Sequence, residues 1–179
     1  LQLLQACVTA FTATYLVAGH GQTLAAAGQT MAILLSASAI ARIVFGWLAD
    51  RSSAGLLILS LLALAAGSAT IWLVNVDPAS TWLFLTCIVL LGSSALGWNG
   101  VHMAELARLA PVDQVGEITS AASLLGFIGT VLGPVAFALI VTVTGSFSLA
   151  FMIVASQLMV VGTMAILQLI RVGSLRDRE

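Results

Sequence analysis

Lysine is absent from this sequence, and charge of any kind is scarce. Only 7% of the 179 residues are charged, where an ordinary soluble domain carries roughly a quarter. So few charges cannot cover the core of a water-soluble body of this size, which excludes a soluble globular domain. The two cysteines, Cys7 and Cys87, fall inside apolar stretches, where they act as small apolar residues. They imply neither a disulfide framework nor a metal site. No basic cluster is present to attract nucleic acid, and no phosphate-binding loop to drive a pump with ATP. H-E-x-x-H, paired aspartates and a serine or cysteine beside a base at membrane depth are missing too, so an intramembrane enzyme is not expected. No cofactor is expected either.

What the sequence does hold is hydrocarbon, with 60% of residues apolar. A helix crosses the ~30 Å core of a bilayer with about 20 apolar residues. Six windows qualify: 1–18, 25–48, 55–74, 81–103, 118–143 and 148–170. They are too long for transmembrane strands and lack the alternation of strands. In hydrocarbon each backbone amide must find a partner inside its own segment, which a helix provides. The fold class predicted is therefore all-α: a bundle of six transmembrane helices. The connections are short except for 104–117, which holds Glu105, Arg108, Pro111, Asp113 and Glu117 and divides the chain into three helices plus three, the arrangement of inverted repeats in many transporters.

Arginine sets the orientation. Arg51 and Arg108 fall in the connections 49–54 and 104–117, Arg171, Arg176 and Arg178 in the tail 171–179, and Arg42 lies inside the second span near that same side. The opposite loops carry no arginine, so both termini are expected to be cytoplasmic. Arginine without lysine, with abundant Ala, Leu and Gly, points to a GC-rich bacterial source and hence to the cell inner membrane. A span that opens at Leu1, with neither methionine nor polar flank, reads as the cut edge of a longer polypeptide.

Polar residues are few enough for each stripe to carry information. Gln5, Thr9 and Thr12 fall at i, i+4 and i+7 of the first span, one helical face. Ser38, Arg42 and Gly46 share a face of the second. Trp98, Asn99 and His102 cluster in the fourth. In the fifth, Thr119, Ser123, Gly126, Thr130 and Gly133 form a stripe of small residues that lets helix backbones approach closely in a membrane. The third and sixth spans are blander and read as outer, lipid-facing helices.

The run Gly46-Trp47-Leu48-Ala49-Asp50-Arg51 resembles the G-x-L-a-D-R signature of the major facilitator superfamily, which sits in the cytoplasmic loop between the second and third helices of each six-helix half. Gly129 to Pro134 is similar to the glycine-rich, G-P-containing helix of that family, and Gly97-Trp98-Asn99-Gly100 to a turn in its bacterial members. The resemblance covers the whole chain, but as one carboxyl-terminal half of a twelve-helix fold. It implies a secondary transporter that moves a small solute by alternating access, together with an amino-terminal six-helix half or a second copy. The alternative is an inactive or structural six-helix fragment. Two departures stand out: Ser52, Ser53 and Ala54 replace the usual glycine and basic residues after the motif, and no acidic residue lies inside any predicted span. A carboxylate proton carrier would then come from the missing half.

The residues suggest roles within that frame. Gly46 would let the second helix pack closely at its end, and Asp50 suits the positive amino end of a neighbouring helix. Arg51 can pair with an acidic group across the loop, and the resemblance implies a cytoplasmic latch with Glu105 and Arg108 as its partners. The plainer reading is that Asp50 and Arg51 cap a helix and mark topology. Arg42, eight residues before Asp50 and about 12 Å deeper at 1.5 Å per residue, approaches the bilayer midplane. Its charge suits an anionic solute in the central pathway; its other reading is a stem that snorkels to the interface or braces the second helix against the fifth. His102 titrates near neutrality and suits a coupled proton, or simply meets water near the span end. Trp98 and Asn99 suit a pathway wall or, for the tryptophan, the interfacial belt. Gln5, Thr9 and Thr12 suit either cavity lining or helix-to-helix hydrogen bonding. Gly126, Gly129, Gly133 and Pro134 are assigned to helix packing.

Overall fold

The computed structural model describes residues 1–52 and 54–176. Among these the regular elements are all α-helices: α1 Gln2–His20, α2 Leu24–Ser52, α3 Gly55–Asn75, α4 Thr81–Leu96, α5 Asn99–Leu109, α6 Val115–Thr144 and α7 Phe147–Arg176. Six are long and apolar enough to cross a membrane when α4 and α5 are taken as one span, Thr81–Leu109, interrupted at Gly97 and Trp98. The chain is an integral, multi-pass membrane protein of six helical spans. Ser53, and the end of the tail with Arg178, lie outside the described residues.

The fourth span does not stop where its polarity rises. Helix continues through Glu105 and Arg108 to Leu109, because neither residue is a helix breaker. The break falls at Ala110, which is extended (φ −77°, ψ 143°) as the residue before Pro111 must be. The link to α6 is therefore 110–114, shorter than the 104–117 expected, and α6 starts at Val115 with Glu117 in its first turn. At the far end α7 also runs on past residue 170 to Arg176.

The helices pack most extensively as α3 on α7, α2 on α4, α3 on α4 and α1 on α6. The bland α3 buries Ala63, Ala66, Gly67, Ala69 and Thr70 against its neighbours, and its small side chains are what allow that closeness. The helices that keep most of their surface free are α2 and α6, with Ile40, Ile43, Leu124, Phe127, Val131 and Val135 all exposed. An aromatic cluster ties α1, α6 and α7 together: Phe137 stacks on Phe11 at 4.5 Å and meets Phe151 edge-on at 4.7 Å, and Tyr15 meets Phe151 at 5.5 Å.

Close crossings are made by glycines. At Gly92 a side chain would strike the Leu34 backbone of α2, and at Gly97 it would meet the Ala41 Cβ at 2.8 Å. Gly100 faces the Arg42 carbonyl, which would lie 3.2 Å from an added Cβ. Gly133 lies against Leu3, whose Cγ would come within 2.9 Å, whereas Gly126 and Gly129 leave ordinary contact distances to Gln2 and Leu3. Gly46 does not act as expected: nothing described lies within 4 Å of a Cβ placed there, and the tight surface at that crossing belongs to Gly100. Pro134 sits inside α6; having no N–H, it frees the Thr130 carbonyl one turn earlier. Both cysteines are buried and free, and Cys87 Sγ donates to the Ala69 carbonyl at 3.4 Å across the α3–α4 contact.

Candidate functional site

Polar side chains gather where α1 meets the α4–α5 break. A turn at Gly97 and Trp98, both with helical backbone angles, separates α4 from α5, which carries Asn99 and His102 on one side while burying Val101 and Glu105 on the other. Trp98 is 6% exposed; its indole N–H donates to Gln5 Oε1 at 3.0 Å, and Asn99 Nδ2 donates to the same oxygen at 3.1 Å. α6 comes alongside, and Gln2 Nε2 donates to Thr130 Oγ1 at 2.9 Å. Between these elements lies a cavity of about 170 Å³ bordered by Gln2, Trp98, Asn99, His102, Ser123 and Gly126. The His102 ring rests against that of Trp98, centroids 5.2 Å apart.

Arg42 approaches the same break from α2. Its Nε donates to the Leu96 carbonyl at 3.2 Å, two residues before Trp98. That carbonyl sits where the α4 ladder is interrupted, so a bond from a charged donor offsets a lost helical one. Arg42 is exposed, and its two terminal nitrogens meet no hydrogen-bond or ion-pair partner among the described residues. The arginine is anchored by one edge of its guanidinium and presents the other. A groove of about 590 Å³ runs along α2 and α4 between Ile33, Ile40, Val44 and Val89, and Arg42 does not border it. Its lining is largely apolar, which suits a charged solute poorly.

The first span's stripe divides into three different environments. Gln5 is held by Trp98 and Asn99. Thr9 is exposed and turns its hydroxyl back onto the carbonyls of Gln5 and Ala6, at 2.9 and 3.1 Å. Thr12 lines no cavity: it is fully buried, and its Oγ1 has no partner among the described residues. Thr12 is enclosed by the neighbouring helices, so spacing alone does not decide which part of the α1 face is open.

On the arginine-bearing side, neither Asp50 nor Arg51 pairs with Glu105 or Arg108 among the described residues. Glu105 is 5% exposed and is held by Arg108 of its own helix, Nε to Oε2 at 3.0 Å and Nη2 to Oε1 at 2.6 Å, a two-point ion pair. Its carboxylate lies against Gly55, the first residue of α3, where a Cβ would meet the carboxyl carbon at 2.8 Å. Glu105 thus takes the place beside a helix amino end that was expected for Asp50, and there its charge is favoured. Arg51 lays its guanidinium over the Trp47 ring, 5.5 Å from the centroid. Asp50 borders a cleft of about 460 Å³ with Ala49, Glu105 and Arg108 but bonds to neither charged residue. Gly55→Ala should lower stability, because the added methyl can be housed only by displacing a buried, paired carboxylate. A fall of several degrees in thermal unfolding temperature, restored in part by shortening the acid in Gly55→Ala/Glu105→Asp, is the expected result.

The places of Gln2 and Ser123 beside the cavity, the close approaches at Gly92 and Gly100 and the Glu105–Gly55 contact were not anticipated. Gln2 could have been: it stands three residues before Gln5, on the same side of the helix. The glycine contacts depend on which helices cross and where, and no local pattern marks them.

The Major Facilitator Superfamily matches residues 2–178. Two curated relatives, each described as a probable nitrate/nitrite transporter NarK2, come from the CDC 1551 / Oshkosh and H37Rv strains of Mycobacterium tuberculosis. Each is 32% identical over 124 residues, which is 68% of this chain and 30% of the relative. The matched segment is thus under a third of the length of those relatives. No solved structure matches the chain.

Proposed function

The chain belongs to the major facilitator superfamily, and on that footing we propose that it is the carboxyl-terminal half of a secondary transporter that moves a small oxyanion of the nitrate or nitrite kind by alternating access. The observation that carries this reading is Arg42: a membrane-embedded arginine with two terminal nitrogens unpartnered among the described residues, next to a cluster of neutral polar groups. A charged side chain at the bilayer centre costs about 2.5 kcal/mol or more, and such residues face a cavity or a partner. The printed description of the relatives, nitrate/nitrite transport, names anions that fit such a donor. The protein acts by transport and not as an enzyme.

In this reading the exposed faces of α2 and α6 meet an amino-terminal six-helix half, and Arg42, Gln5 and Asn99 border the passage between the halves. Both termini lie in the cytoplasm, on the side of Arg51, Arg108 and Arg171, and the membrane is the bacterial inner membrane. The cleft between Asp50 and the Glu105–Arg108 pair is where a cytoplasmic latch closes. His102, next to the polar cavity, is the candidate carrier of a coupled proton. A structural or inactive six-helix fragment is not favoured, because bracing the Leu96 carbonyl uses only Nε of Arg42 and leaves its two terminal nitrogens with no role.

The test is uptake of nitrate and nitrite into proteoliposomes that hold the chain together with its amino-terminal half. Saturable uptake of either ion, competed by the other but not by a neutral solute or a cation, is the expected result. Uptake no faster than in empty liposomes, from protein shown to be folded, would refute the reading.

A further inference from the structure

We infer that Gln5 is a hydrogen-bond donor locked towards the solute, a specificity-determining residue that admits acceptor-only oxyanions and disfavours cations. The inference rests on the anion-transport reading above and adds to it a second recognition group, on a different helix from Arg42.

The lock follows from what surrounds the amide. Both Trp98 Nε1 and Asn99 Nδ2 donate to Gln5 Oε1, at 3.0 and 3.1 Å. An indole N–H can only donate, so the atom facing it must be the amide oxygen; the flipped amide would set N–H against N–H. Two donors also occupy both lone pairs of that oxygen. The amide therefore has no free acceptor, and its NH2 group points away from the pair that holds it. No hydrogen-bond partner for that nitrogen exists among the described residues. It does not belong to the buried, unpartnered side-chain atoms either, which are Thr12 Oγ1 and Gln22 Oε1 among the described residues, so it opens onto accessible space.

The neighbours favour the same reading. The next polar residue along that face, Thr9, has its hydroxyl hydrogen engaged by backbone carbonyls, and Gln2 already gives one N–H to Thr130, whereas neither N–H of the Gln5 amide meets a partner among the described residues. No acidic residue occurs on α1 to attract a cation in its place. Trp98 is buried at the α4–α5 turn, so the clamp is part of the packed body and not a mobile side chain. A preset neutral donor recognises an anion without the desolvation that a second buried charge would require.

The discriminating substitution is Gln5→Glu. A carboxylate still accepts from Trp98 and Asn99, so every bond that holds the residue survives and only the outward NH2 becomes an anion. A structural role for Gln5 predicts little change. A donor role predicts that the KM for nitrate rises at least tenfold, with the amount of folded protein in the membrane unchanged. Trp98→Phe, which frees the amide to rotate while keeping an aromatic ring, should raise KM a few fold with Vmax kept. Nitrate uptake with unaltered KM in Gln5→Glu, from a wild type that transports nitrate, overturns this inference and leaves the transport reading standing. Absence of nitrate and nitrite uptake in the wild type overturns both. Should Gln5→Glu fail to reach the membrane, Gln5→Asn, which keeps the group but draws its donors back by one carbon, carries the same test on KM.

Discussion

Replacing Arg42 with alanine should reduce nitrate or nitrite uptake by 10- to 100-fold while the protein still inserts and folds. Hydrogen bonds to a charged group contribute about 1.5–3 kcal/mol each, and every ~1.4 kcal/mol is a factor of ten. Losing the outward edge of the guanidinium therefore removes most of the affinity for an anion. The Nε bond to the Leu96 carbonyl is lost as well, but that carbonyl borders an interrupted helix that a water molecule can satisfy, so the folding cost is smaller than the functional one. Arg42→Lys retains the charge and loses the planar, two-point geometry that suits a trigonal oxyanion. It should fall between wild type and alanine. Uptake by Arg42→Ala at the wild-type rate, with equal protein in the membrane, would remove the anchoring role from Arg42.

The second large effect is structural and concerns Gly92→Leu. In most helix interiors a glycine is a weak point, about 1 kcal/mol poorer than alanine, and replacing it would help. Here the sign reverses, because α2 crosses α4 at this position and an added Cβ would come 3.0 Å from the carbonyl carbon of Leu34 and closer still to its oxygen. A backbone carbonyl cannot rotate aside as the tip of a side chain can. The two helices would have to slide apart, losing the packing that holds membrane helices together. Overpacking of this kind typically costs 1–3 kcal/mol and here exceeds about 3 kcal/mol, because backbone must move. Little folded protein should be recovered from the membrane, and what is recovered should unfold at markedly lower temperature. Normal yield and unfolding temperature would mean that α2 and α4 do not cross at Leu34 and Gly92.

The sequence made some of this legible and hid the rest for physical reasons. Six apolar runs of spanning length specify six helices because hydrocarbon leaves the backbone no other partner. Pro111 marks the end of α5, yet polarity alone misplaced that end, since Glu105 and Arg108 are compatible with helix and simply continue it. Gln5, Trp98 and Asn99 were each singled out for cavity lining or hydrogen bonding; that they hold one another depends on α1 lying beside the α4–α5 turn, a relation between segments about ninety residues apart. Thr12 and Gly46 show the limit in the opposite direction. Each occupies the face that periodicity assigns it, but burial and closeness are properties of the neighbour, and the neighbour is not local. Asp50 was expected beside a helix amino end and Glu105 as a latch partner; that Glu105 reaches the α3 amino end was decided by the crossing of α5 over Gly55.

If Arg42 receives the solute, the exposed face that carries it borders a water-filled passage and does not face lipid. Thiol chemistry at that position tests it most directly. With Cys7 and Cys87 replaced by serine or alanine, Arg42→Cys in the complete protein should react with a charged, membrane-impermeant methanethiosulfonate reagent, and nitrate should slow the reaction. Modification only by a lipid-soluble maleimide, at a rate indifferent to nitrate, would place position 42 in hydrocarbon and contradict the account.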